Sequence, residues 1–240
     1  MNTIIFDLDG TLLPMDFKQF MKLYFLELGK HFKEHIAPEV LTKYVMSATG
    51  KMVEDDSDLT NETVFMTHFK TYVKEHLAMY QSMFSAFYDA GFDKVRVSTS
   101  QSEAMLKSVK LLKEKGYELV IATNPLFPLK ANLHRVRWAG LDINDFSYIT
   151  SFEDNTKSKP NPAFFTEVLK KINKNANECL VVGNDAVEDL VAQVVGLKTY
   201  LVDDCILNED LMKYTPNYRG SMSSFYDFCL NLPYIEKEEV

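Results

Sequence analysis

Ile5-Phe6-Asp7-Leu8-Asp9-Gly10-Thr11 is the stretch that decides how this chain is read. A short apolar run, residues 3–6, has the length and content of a buried strand. Two carboxylates then follow two positions apart, with a glycine and a hydroxyl directly after them. If residues 3–6 are a strand, Asp7 and Asp9 lie at its C-terminal end, where open α/β sheets carry their chemistry. Two close carboxylates form a hard-oxygen site suited to Mg²⁺. They also suit a division of labour between a nucleophile and a proton carrier. The competing reading is a turn or a calcium loop, which Asp and Gly also favour. Leu12, Leu13 and Pro14 supply none of the further oxygen ligands such a loop needs. Average residue usage gives a chance Asp-x-Asp-Gly-Thr odds of roughly a few in a thousand in a chain of this length.

Working outward, β-like runs occur at 3–6, 119–122, 148–150, 180–182 and 199–202. Helical patterns lie between the later ones, at 103–114, 126–138, 163–172 and 188–195. Asn161-Pro162 reads as an N-cap with proline at the first helical position, and Gly196 as a C-cap. Strands alternating with helices predict an α/β fold, a Rossmann-like doubly wound parallel sheet. From Met15 to about Gly91 this rhythm breaks, and only helical periodicity rich in aromatics and methionine is visible. Lys51 to Thr60 is an acidic break within it. So long an insertion exceeds what a loop in a compact domain accommodates. The expectation is a catalytic core of residues 1–14 and 97–240, with an inserted all-helical cap domain at 15–96. The stripe of Phe17, Phe20, Met21, Tyr24, Phe25 and Leu28 reads as that domain's own core, as do the later aromatics from Phe65 to Phe84. The tail carries a helical stretch at 221–230 and a charged end expected to be disordered.

The 240 residues are 46% hydrophobic, enough for one large domain or two modest ones. A net charge of −8 argues against nucleic acid or an anionic membrane as partner. It also means that any phosphate site must draw its positive charge locally. No signal-like N-terminus and no apolar stretch of membrane-spanning length are present. Cys179, Cys205 and Cys229 are odd in number and far apart, which reads as reduced residues of a cytoplasmic protein.

Three further sites follow later strands. Thr123-Asn124 places a hydroxyl and an amide where they can hydrogen-bond a phosphoryl oxygen. Lys159, in Ser158-Lys159-Pro160-Asn161-Pro162, can neutralise a phosphate and the Asp7 carboxylate together, with Lys157 as a rival. In Gly183-Asn184-Asp185-Ala186-Val187-Glu188-Asp189, Asp185 can ligate a cation and Asp189 projects on the same face one turn later. Glu188 is expected to point elsewhere as an exposed helix residue.

In this order, the four sites resemble the motifs of the haloacid dehalogenase-like hydrolase superfamily. Asp7-Leu8-Asp9-Gly10-Thr11 resembles the first motif, Thr123-Asn124 the second, Lys159 the third and Gly183 through Asp189 the fourth. The insertion resembles the helical cap of the subgroup that includes phosphoglycolate phosphatases. The resemblance implies a movable cap and Mg²⁺ held by the carboxylates of Asp7 and Asp185 and the backbone carbonyl of Asp9. It makes Asp7 the nucleophile that becomes an aspartyl phosphate, and Asp9 the acid and then the base. It makes Leu8, Thr123, Asn124 and Lys159 the phosphate-binding set. Asp189 is assigned either to a metal-bound water or to Lys159.

Haloacid dehalogenases proper lack the acid two residues after the nucleophile, so Asp9 argues against dehalogenation. The function expected is a Mg²⁺-dependent phosphatase acting on a small phosphorylated metabolite. A phosphomutase, a phosphonate hydrolase and a binding protein are the alternatives. Oligomeric state is left open. The resemblance links sugar-phosphate mutases to a cap arginine, and none occurs from Met15 to Ala90. The insertion does carry Lys18, Lys22, Lys43, Lys51, His31, His35, His68 and His76, which read as surface residues.

Overall fold

Strand β1 (Thr3–Phe6) is buried along its whole length, because both of its faces are covered. Ile4 and Phe6 pack on one side with Val109, Leu112 and Phe225. Ile5 packs on the other with Phe164, Phe165 and Val168. That two-sided burial is why the strand reads as a continuous apolar run rather than an alternating one. In this computed structural model, which describes residues 1–236, β1 is the third strand of a six-stranded parallel sheet of order β3-β2-β1-β4-β5-β6. The others are β2 (Glu118–Ile121), β3 (Tyr148–Ile149), β4 (Cys179–Gly183), β5 (Lys198–Val202) and β6 (Tyr218–Gly220). β1 pairs with β2 and β4, which places three strand ends side by side, at Asp7, Thr123 and Asp185. The ladder runs on past those ends. Asp7 N–H donates to the Val182 carbonyl at 2.8 Å, and Ala122 N–H to the Phe6 carbonyl at 2.7 Å.

Five strands follow the sequence expectation. β6 was not foreseen: it is a three-residue edge strand with largely exposed side chains, so it carries no hydrophobic signal. The helix expected at 188–195 is instead a 3-10 helix, Leu190–Val195, ending on Gly196 at φ +84°. The proline-containing turn delays the next expected helix to Leu129–Trp138, here α6.

Between β1 and α5 (Glu103–Glu114) the ordered elements are helical: α1 (Phe17–Phe32), α2 (Pro38–Glu54), α3 (Asn61–Val73) and, after a 3-10 turn at Lys74–His76, α4 (Leu77–Ala86), followed by a π turn (Phe87–Gly91) and a 3-10 helix (Phe92–Ser98). Asp16 caps α1 by accepting from Gln19 N–H, and Thr60 caps α3 by accepting from Thr63 N–H. The chain enters and leaves this block side by side, with Ser100 N–H donating to the Pro14 carbonyl. The first turn of α3 sits on the loops after β2 and β3. Asn61 and Glu62 N–H donate to the carbonyls of Asn155 and Phe152, both at 2.8 Å, and Asn61 Nδ2 donates to the Pro125 carbonyl at 3.1 Å. α7 (Ala163–Lys171) begins one residue later than the capping pattern predicts, with Pro162 at the N-cap position, while Asn161 Oδ1 still accepts from Ala163 N–H. α8 (Met222–Asn231) closes the fold. The last four residues of the charged tail lie outside the described residues. No helix among the described residues is long and apolar enough to cross a membrane.

Candidate active site

The turn after β1 forces Asp7 and Asp9 into one cavity. Gly10 sits at φ +88°, where a side chain would be strained and would collide with Asn184. Thr11 Oγ1 approaches Asp7 Oδ2 at 3.3 Å and Asn184 Oδ1 at 2.8 Å, tying this turn to the loop after β4. Asp7, Asp9, Thr123, Asn124, Asp185 and Asp189 all line a cavity of about 430 Å³ between the sheet ends and the helices α1–α4. The six positions therefore come together as their order along the chain predicts. Leu8, the remaining expected position, is fully buried, and its carbonyl accepts from Thr11 and Leu13 N–H within the turn.

Lys159 is the electrostatic centre. Its side chain is 1% exposed, and its Nζ lies 3.0 Å from Asp7 Oδ1 and 2.6 Å from Asp189 Oδ1. Burial alone would lower its pKa, but the two carboxylates outweigh that and raise it, so the ammonium stays charged. Asp7 moves the other way. Burial lifts its carboxyl well above the ordinary range against the pull of Lys159, and the charges of Asp189 and Asp9 add to the rise. The rival Lys157 points away and donates to the carbonyls of Asp56 and Ser57, both at 2.6 Å. Of the two partners the resemblance allowed Asp189, the structure shows contact with Lys159. Asp189 also accepts from Asp185 N–H at 2.9 Å, and a side chain at Gly183 would occupy its place.

Asp185 is aimed by three donors: Val187 and Glu188 N–H on Oδ1, and Asn208 Nδ2 on Oδ2. Burial raises its pKa against those hydrogen bonds. The expectation for Glu188 is overturned. The chain does not enter an α-helix at 188, so its carboxylate turns into the cavity and accepts from Asn124 Nδ2 at 3.0 Å. Its pKa is pushed up to about 8, first by burial, with Lys159 opposing and Asp185 adding.

Arg135 carried no signal in any motif. It is fully buried on α6, donates through Nη1 to Asp9 Oδ2 and through Nη2 to Asn132 Oδ1, and lies over the Phe127 ring at 4.6 Å. Burial raises the Asp9 pKa, and Arg135 opposes the rise. The available clue was an Asn and an Arg at i and i+3 on the apolar face of one helix, which also carries Ala131, Val136 and Trp138.

Asp9 Oδ1 is buried with no partner. Five carboxylates border the cavity, and Lys159 and Arg135 neutralise two of that excess. Among the described residues no three Asp, Glu, His or Cys side chains cluster tightly enough to enclose a metal. A Mg²⁺ site does not need three, because one or two carboxylates with a carbonyl, waters and substrate suffice. The donors present therefore fit that cation.

The profile of the haloacid dehalogenase-like hydrolases matches residues 1–194. A pyrophosphatase, PpaX of Bacillus pumilus, is 24% identical over 224 residues, covering 90% of each chain. A HAD phosphatase from Thermococcus onnurineus superimposes with a TM-score of 0.61 at 19% identity, over 98% of this chain and all of that one. The HAD-hydrolase YfnB of Bacillus subtilis, solved with bound magnesium, gives 0.59 at 21% identity over 95% and 98%.

Proposed function

The chain belongs to the haloacid dehalogenase-like hydrolases, and on that premise we propose that it is a Mg²⁺-dependent phosphatase of small phosphorylated metabolites working through an aspartyl phosphate on Asp7. The observation that carries this reading is Lys159, a buried ammonium shared between Asp7 and Asp189 at the edge of the cavity. It holds charge where a phosphoryl group and its attacking carboxylate meet, and phosphoryl transfer depends on positioning and charge neutralisation above all. The Thermococcus protein is named a phosphatase, and PpaX, named a pyrophosphatase, agrees with the reading as far as phosphoryl hydrolysis.

The carboxylates of Asp7 and Asp185 and the Asp9 carbonyl would hold Mg²⁺. When bound, it supplies positive charge against the phosphoryl oxygens. An Asp7 carboxylate oxygen attacks phosphorus and forms the acyl phosphate as the ester P–O bond breaks. Asp9, protonated, gives its proton to the departing oxygen. In the second half Asp9 takes a proton from water, whose oxygen attacks the same phosphorus and releases Asp7. Burial of Asp9 favours its protonated form, and Arg135 limits how far, which suits a group that works in both directions. Thr123 and Asn124 border the phosphoryl position, and Asn124 also holds the Lys159 backbone. Residues 15–96 would act as the cap that excludes bulk water during transfer.

The test is phosphate release from 4-nitrophenyl phosphate with Mg²⁺ and with chelator. Activity is expected only with the metal, and equal rates in chelator would sink the metal assignment. Asp7→Asn is expected to lower kcat by roughly 10⁴-fold or more while the protein stays folded. Asp9→Asn is expected to accumulate a phosphorylated protein, visible as a mass increase.

A further inference from the structure

We infer that the substrate is a phosphate monoester whose leaving group is apolar and uncharged, an aryl or alkyl alcohol rather than a second phosphate or a carboxylate. This rests on the phosphatase reading and names the substrate class for the same cavity. The floor is acidic, with Asp7, Asp9, Asp185, Glu188 and Asp189 on it. The ceiling comes from the inserted helices and is apolar: Met21 and Phe25 of α1, Val45 and Met46 of α2, Phe65 and Met66 of α3. Its few polar groups are Thr49 and the hydroxyls of Tyr24 and Tyr88, which bond to each other at 2.9 Å and so present their rings.

No lysine, arginine or histidine lines this cavity. Lys159 and Arg135 are engaged with the carboxylates in front of them. Of the insertion's basic residues, Lys18 borders a neighbouring cleft, and the others do not reach this one. Beneath the apolar ceiling a second anionic group on the substrate would lose its water and meet no cationic side chain. An aromatic or alkyl group would instead bury apolar surface against rings and thioethers that adjust to its shape. The volume, about 430 Å³, lies in the range of pockets that enclose small organic ligands, roughly 300–1,000 Å³.

Four measurements with Mg²⁺ test this, three on the full chain and one on a variant of it. 4-Nitrophenyl phosphate, an activated ester whose aryl group carries no ionised substituent, reports the chemistry itself. Should it stay intact, the phosphatase reading fails. 2-Naphthyl phosphate and 4-carboxyphenyl phosphate release phenols of similar acidity but opposite character. The naphthyl ester is expected to have the higher kcat/KM by about 100-fold, mostly through KM. Equal values, or the reverse order, with 4-nitrophenyl phosphate still hydrolysed, overturn the inference and leave the phosphatase reading standing. Calorimetry with the non-hydrolysable 2-naphthylmethylphosphonate and phosphonoacetate reads the same preference without turnover. Tighter binding of the naphthyl compound supports the inference, and no difference overturns it. In Met46→Lys, at a ceiling position 50% exposed, kcat/KM for the carboxyphenyl ester is expected to rise about tenfold. An unchanged value counts against the apolar ceiling as the cause.

Discussion

Asn124 grips the main chain of Lys159 from both sides: its Oδ1 accepts from the Lys159 N–H at 3.1 Å, and its Nδ2 donates to the Lys159 carbonyl at 3.2 Å. The lysine's placement thus depends on the strand-end residue two loops away. Asn124→Ala removes both bonds and frees Glu188 as well. The expected outcome is a fall in kcat/KM of about 10–100-fold with native circular dichroism, since a displacement near 1 Å at a reacting group has that scale of effect. Wild-type kinetics in Asn124→Ala would mean that Lys159 is held by its ion pairs alone.

Arg135→Met should lower stability by about 3–5 kcal/mol, because it leaves Asp9 buried without its cation. Adding Asp9→Asn should recover part of that loss, since contacting residues couple. Urea unfolding of the two single variants and the double variant measures the coupling. Additive losses would show that the pair contributes no interaction of its own.

Glu188 gives the chelated protein a pH signature. Its folded pKa of about 8 lies above the ordinary 4.5, so between those values the folded state holds a proton that the unfolded chain has lost. Stability from this group therefore falls as pH rises from about 4.5 to about 8. Glu188→Gln removes the dependence. In thermal melts its Tm should draw ahead of wild type steadily from pH 5 to pH 8, and a constant gap would contradict the burial of this carboxylate.

Burial pushes the Cys179 thiol up to about 11 and the Cys229 thiol up to about 12. Both are unpaired and buried, whereas Cys205 is partly exposed. A thiolate-detecting reagent at pH 8 should label at most one cysteine in the native protein and three after denaturation. Above about pH 9 the unfolded thiols ionise first, so stability should fall further with rising pH. Fast labelling of two or three sites in the native state would refute this.

What could be read from sequence follows from how each signal is stored. β1 and β4 are buried on both faces, so their apolar runs are unbroken, and the acids behind them stand out. Lys159 stands among stiff turn residues, yet on the residues alone Lys157 rivals it, and the family resemblance is what singles it out. Arg135 is not singled out, because its partner Asp9 is 126 positions away and nothing local marks the pairing. Helical spacing from Asp185 onward predicts an exposed Glu188, whereas the chain makes a turn there before its 3-10 helix. The aromatic stripes have two roles that one sequence pattern cannot separate. Phe20 and Leu28 are core, while Phe25 and Phe65 also face the cavity.

The position of β1 has a consequence for synthesis. The first strand made has its partners at residues 118–121 and 179–182. At about 5–20 residues per second, the ribosome delivers the second of these roughly 10–35 s after the first strand leaves it. Throughout that interval the nascent chain can assemble the four helices that follow, whose contacts are near in sequence. Until residues 118–121 are made, the strand that leads into Asp7 is an unpaired apolar segment, and its other edge stays open until 179–182 follow, the natural place for a chaperone to hold.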